Sequence, residues 1–160
     1  MGKKPDGSYY AFNGIQTGVL LINYILNGLK ASDKLPSNGA IVKSIVTGEM
    51  AKDICDDFNV KMFSTLTGFK NICSLANIWD KTHEYEFIFG YEESIGYTYG
   101  DYVRDKDAVI SSMLIAEMAG YYKKQGKSLY QVLYDLYEKY GYYKEKLISL
   151  TLKGIEGSMR

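Results

Sequence analysis

The sequence predicts an α/β domain of three layers, with a mixed, mostly parallel sheet between helices. Three observations predict it. Runs rich in β-branched and aromatic residues, "AIVKSIVT", "NVKMFST" and "YEFIFGY", recur along the chain. Segments with apolar residues at helical spacing alternate with them. At 160 residues, with 46% apolar and 24% charged side chains, the chain suits one globular domain with a sizeable core.

Taken in order, residues 1–12 carry Pro5 and Gly7 among polar side chains, which reads as a leader, entry loop or interdomain segment. From Thr17, "TGVLLINYILNGL" places Val19, Leu20, Ile22, Ile25, Leu26 and Leu29 on nearly every face of a helix, so that helix is expected to be buried. "AIVKSIVT" then predicts a strand ending at Thr47, which would cap a following helix with Glu49 favouring its dipole. "NVKMFST" repeats the unit, followed by a helix in which Phe69, Ile72, Cys73, Ala76 and Trp79 recur at helical spacing.

The third strand, "YEFIFGY", runs into "GYEESIGY", expected as a strand-to-helix loop before a long helix in "DKDAVISSMLIAEMAGYYKKQG". Ser128 and Gln131 stand in capping-box spacing ahead of Leu129, Val132, Leu133 and Leu136, one more helix. "KLISLTLKG" alternates like a half-exposed strand, and residues 155–158 resemble the start of a helix. Residues 141–160 are therefore expected to be a linker and the truncated start of a following domain.

Charge and composition exclude several functions. Lys plus Arg and Asp plus Glu both total 19, so the net charge is zero and no nucleic-acid or membrane partner is expected. No apolar run approaches a membrane span. Cys55 and Cys73 lack metal or redox spacing and read as buried apolar residues, which fits a reducing cytoplasm. "QGKS" lacks the earlier glycine of a phosphate-binding loop, that position being Tyr121. His83, the single histidine, has no catalytic companion, and Asp105 with Asp107 suits a helix start better than a cation site. Tyr130, Tyr134 and Tyr137 recur as a packing stripe, diluted by Asp135 and Glu138, rather than as a nucleic-acid platform.

In a parallel sheet, ligands sit beyond the carboxyl ends of the strands, which puts Thr47, "TLTGFK" and "GYEESIGY" on one rim. A sugar hydroxyl donates and accepts, so a carboxylate and a hydroxyl at i, i+2 in an extended segment, Glu92 and Ser94, suit it, with Glu93 facing the other way. The same residues would also serve as a solvated turn between glycines.

"GYEESIGY" resembles the sugar-recognition loop of the α-D-phosphohexomutases, the phosphoglucomutase and phosphomannomutase family. "NGIQTGVLLINYIL" is similar to the opening helix of that family's third domain, "TLTGFK" to its Thr-Gly-aromatic-Lys turn, and "VRDKDAV" to its charged segment. The resemblance covers residues 13–140. It implies the third domain of a four-domain enzyme, with Glu92 and Ser94 on sugar hydroxyls and Thr67, Gly68 and Lys70 lining the cleft. Lys106 would be an acid or base near the transferring group, although an exposed lysine at an Asp-rich helix start fits the same pattern.

The implied reaction interconverts glucose 1-phosphate and glucose 6-phosphate through a phosphoserine and a bisphosphate. The expected partners are a hexose phosphate and the other domains of a parent chain. No cofactor is expected on this domain; Mg²⁺ and a hexose 1,6-bisphosphate are expected for the full-length enzyme. The family's phosphoserine loop, Asp-Gly-Asp-x-Asp metal loop and domain 4 phosphate loop have no counterpart in these residues, so the isolated chain is expected to be inactive. Ile15, Gly48 and Ile95 depart from residues common in the family. A mannose or pentose phosphate mutase, or a stand-alone sugar-phosphate binding module, stays open as an alternative.

Overall fold

Asn13 and Gln16 form a reciprocal capping box, the side chain of each accepting from the other's backbone amide. They start the buried helix that the apolar run requires. The structure, a computed structural model, describes residues 2–146 and 148. In chain order the elements are β1 (Gly2–Lys3), β2 (Tyr9–Tyr10), α1 (Gly14–Ala31), β3 (Gly39–Ser44), α2 (Met50–Asp57), β4 (Lys61–Thr65), α3 (Phe69–Thr82), β5 (Glu86–Glu92), β6 (Gly96–Tyr99), α4 (Ala108–Lys124) and α5 (Leu129–Tyr140).

The main sheet runs β4-β3-β5-β6. β3 lies parallel to both β4 and β5, while β6 returns antiparallel to β5, so the sheet is mixed and mostly parallel. Helices cover both faces. On one side Ile41, Phe89 and Tyr91 pack with buried residues of α1, α2, α4 and α5; on the other Ala40 and Val42 pack with Phe69, Ile72, Cys73 and Trp79 of α3. Every residue of β3 is buried, as expected for a strand covered on both faces.

Three expectations change. The "GYEESIGY" segment joins strand to strand: Glu92 pairs with Gly96 across a tight turn, and Gly96–Tyr99 is the strand β6 that the sequence reading passed over. Thr47 does not cap α2. Glu49 occupies the cap position without a side-chain capping bond, and the Thr47 hydroxyl is engaged beside Ser44 and Glu93 instead. The entry segment holds a short hairpin, β1 with β2, rather than a loop alone, and Tyr10 packs edge-on against Tyr130 of α5. The strand expected in "KLISLTLKG", apart from Lys146 and Ile148, and the helix start at 155–158 lie outside the described residues.

The remaining elements follow their sequence signals. Ser128 and Gln131 form the capping box of α5, with Leu129, Val132, Leu133 and Leu136 buried. Tyr130, Tyr134 and Tyr137 stack in succession along that helix. Cys55 and Cys73 are buried free thiols, and burial pushes the Cys55 thiol up to about 12. Among the described residues no helix is long and apolar enough to cross a membrane.

Candidate functional site

Three loops leave the sheet at the carboxyl ends of β3, β4 and β5, and two adjacent glutamates tie them together. Glu92 ends β5 and Glu93 opens the turn after it, and their carboxylates go to different loops. Glu92, 8% exposed, accepts the Gly68 amide at 2.5 Å and so holds the turn before α3. Glu93 accepts the Ser44 hydroxyl at 2.9 Å and the Thr47 hydroxyl at 3.4 Å, holding the loop after β3.

The turn between Glu92 and Gly96 has three residues, Glu93, Ser94 and Ile95. Such a loop requires a left-handed residue at its end, a position that glycine usually fills. Here it is Ile95, at φ 64° and 68% exposed. A β-branched residue in that region is strained. The surroundings hold it there: a Cβ added to Gly14 at the start of α1 would lie 2.0 Å from the Glu93 carbonyl oxygen, and the buried Tyr97 hydroxyl donates to the Gly14 carbonyl at 2.9 Å. On the other face the Phe69 ring fills the space beside Gly96, where a Cβ would meet it at 2.6 Å.

Lys106 approaches the same turn from the segment before α4. Its ammonium lies 5.8 Å from the centre of the Phe69 ring and 3.2 Å from the Asp105 carboxylate, with the side chain 64% exposed. The Lys106 amide and ammonium, both donating to Asp105, hold that carboxyl below its ordinary value. Asp107 accepts from the amides of Val109 and Ile110 and fixes where α4 begins. Between turn and helix lies a hollow of about 310 Å³, lined by Ile95, Tyr97, Lys106, Ser111 and Ile115 among others.

The sequence-derived residues therefore meet on one rim, with differences of detail. Glu92 is buried and one of its oxygens is already engaged. Ser94 is exposed in the turn rather than in an extended segment, so the i, i+2 argument for a shared direction does not apply to it. Gly68 gives its amide to Glu92, while Thr67 and Lys70 are exposed beside it.

Sequence reasoning missed the support. Lys43, 1% exposed, donates to the Thr47 carbonyl at 2.8 Å and to Glu49 at 2.7 Å. A lysine and serine closing an apolar strand, "AIVKS", were the available signal, since such groups are buried only when paired. Among the described residues no group of three or more His, Cys, Asp or Glu side chains could hold a metal ion.

Residues 13–140 match the family model described as phosphoglucomutase/phosphomannomutase, alpha/beta/alpha domain III. The chain belongs to this family. It is 39% identical over 158 residues to the phosphoglucomutase of Staphylococcus epidermidis, covering 99% of this chain and 28% of that protein. The phosphoglucomutase of Staphylococcus haemolyticus is 35% identical over 158 residues, with the same coverage of 99% and 28%. In fold it is similar to the open form of pp63/parafusin, a phosphoglucomutase from Paramecium, with a TM-score of 0.60 and 15% identity over 85% of this chain and 22% of that one. The chain thus spans 28% of the length of the two staphylococcal phosphoglucomutases and matches 22% of the Paramecium one.

Proposed function

We propose that this chain is the sugar-recognition domain of a phosphoglucomutase that interconverts glucose 1-phosphate and glucose 6-phosphate. The observation that carries the reading is the fastening of the Glu92–Gly96 turn to both neighbouring loops, which sets its polar groups in place before any ligand arrives. Preorganisation of this kind spares a binding site the cost of ordering its loops. In this reading Glu92 and Ser94 take ring hydroxyls, Thr67, Gly68 and Lys70 border the ring, and Lys106 exchanges a proton with the hydroxyl that gains or loses the phosphoryl group.

The reaction is two phosphoryl transfers. A phosphoserine gives its group to a hexose hydroxyl, the bisphosphate turns around, and its other phosphate returns to the serine. In this reading the phosphoserine and the Mg²⁺ site belong to other domains of the parent chain. Residues 1–12 and 141–160 are the connections to those domains. The chain's own share is positioning, the main source of catalysis in phosphoryl transfer.

The test is the turnover of glucose 1-phosphate by the full-length parent protein, compared with mannose 1-phosphate and with galactose 1-phosphate, the epimer at one ring hydroxyl. The expected order places glucose first. Equal or faster turnover of mannose 1-phosphate would replace this reading with a phosphomannomutase, and no turnover of any hexose phosphate would overturn it.

A further inference from the structure

Glu93 is the first residue of the turn assigned to sugar, yet its carboxylate meets two buried hydroxyls of the loop after β3. Its Oε2 lies 2.9 Å from the Ser44 hydroxyl and 3.4 Å from that of Thr47, and the two hydroxyls are 2.7 Å apart; their two protons serve two of these three contacts at a time, the shortest pair having Thr47 donate to Ser44 and Ser44 donate to Glu93. Ser44 and Thr47 are buried, and the loop between them is pinned from below by Lys43 through the Thr47 carbonyl. The oxygen held in this arrangement faces two buried hydroxyls and not solvent. It does set the backbone direction at Ser94 and Ile95, because the neighbouring Glu93 carbonyl is pressed against Gly14 and cannot move inward.

We infer that Glu93 is a positioning residue of the sugar-binding turn: it acts on the sugar only through Ser94, by locking the turn onto Ser44 and Thr47. This rests on the sugar-recognition reading above for its functional half. The clamp itself is a property of the ligand-free protein. Glu92 and Glu93, adjacent and chemically identical, thus have different tasks, because one ends the strand against the Gly68 turn and the other opens the hairpin turn against Ser44 and Thr47.

The experiment uses the full-length parent protein with four variants: Glu92→Ala, Glu93→Ala, Glu93→Gln, and the pair Ser44→Ala with Thr47→Val. Hydrogen exchange at amides 93–96 without ligand reads the clamp. Faster exchange is expected in Glu93→Ala and in the Ser44/Thr47 pair alike, and unchanged exchange in Glu93→Ala overturns the inference whatever the protein binds. Kinetics then read the consequence. Glu93→Ala should lower kcat/KM by on the order of tenfold to a hundredfold, as a displaced binding group does. Glu93→Gln, which still accepts a hydroxyl, should recover most of it.

Combining Glu93→Ala with the Ser44/Thr47 pair should add no further loss, since both break one contact. Substrates lacking single ring hydroxyls separate the two glutamates. The loss from Glu92→Ala should shrink with the analogue that lacks its partner hydroxyl, while the loss from Glu93→Ala should be the same with every analogue. Additive losses, or a Glu93→Ala effect that disappears with one deoxy sugar, would show direct contact and overturn the positioning role. A wild-type protein that turns over no hexose phosphate would overturn the sugar reading and with it the functional half of the inference, leaving exchange to decide the clamp alone.

Discussion

Glu92 concentrates the chemistry at the scale of single residues. It is nearly buried, with one oxygen on the Gly68 amide, so truncating it removes a charge-assisted hydrogen bond and loosens a second loop. Glu92→Ala in the full-length protein should cost about 1.5–3 kcal/mol in kcat/KM for the hexose phosphate. Unchanged kinetics would remove the residue from the site. Lys106 makes a different prediction, because it is exposed and held by Asp105 and the Phe69 ring. If it transfers a proton in the reaction, Lys106→Met should depress kcat much more than it raises KM, and a pure KM effect would reject that role.

Elements place these residues, and the junction of α1 with the β5–β6 hairpin matters most. Gly14→Ala would gain up to about 1 kcal/mol of helix propensity. Its Cβ, however, would fall 2.0 Å from the Glu93 carbonyl oxygen and 2.8 Å from the Ile95 amide nitrogen, both backbone atoms that cannot swing away. Overpacking of this kind costs about 1–3 kcal/mol, so the clash wins. The variant should unfold at lower urea concentration and show faster amide exchange at 93–96. A midpoint equal to wild type would mean that the hairpin has room to retreat.

The sequence reading failed at the same hairpin. α5 was legible because its capping pair, Ser128 and Gln131, stands three residues apart, and α1 because of its unbroken apolar run, although the Asn13–Gln16 capping box that starts it went unread. β6 is only four residues long, and its turn hides the left-handed position under an isoleucine rather than a glycine or asparagine. "GYTY" did offer an aromatic and β-branched alternation. Thr47 was misread for a related reason: a threonine before a helix signals a cap locally, whereas its hydroxyl pairs with Ser44 in a cluster that Glu93, 46 residues away in the chain, completes.

For the whole molecule, the two-sided burial of the sheet makes a pH prediction. Burial pushes the Cys55 thiol and the Tyr97 phenol each up to about 12 in the folded protein. The unfolded chain releases those protons near pH 9 and 10, so above these values it binds fewer protons than the folded state and stability falls. The full contribution is present below pH 9 and is lost as the pH rises toward 12, with a slope of about 1.4 kcal/mol per pH unit for each group fully released. Urea midpoints at rising alkaline pH should fall accordingly, and Cys55→Ala should flatten the first part of the decline. A flat profile in the wild type would contradict the burial of both groups. At this scale the candidate site was partly legible: alternation of strands and helices brought three loops to one rim, while the burial of Lys43, Ser44 and Thr47 had only the polar end of the apolar strand to announce it and no sign of the Glu93 contact far along the chain.

The turn that carries Ser94 also limits how the protein can diversify. From Glu92 to Gly96, two residues are committed by their carboxylates and one by the aromatic ring packed on it, which leaves Ser94 and Ile95 facing outward. Inserting or deleting a residue would break both fastenings at once, whereas exchanging the side chains at these two positions would leave them whole. Variation that keeps this turn intact is therefore channelled through two codons, a space small enough to be searched exhaustively by saturation mutagenesis.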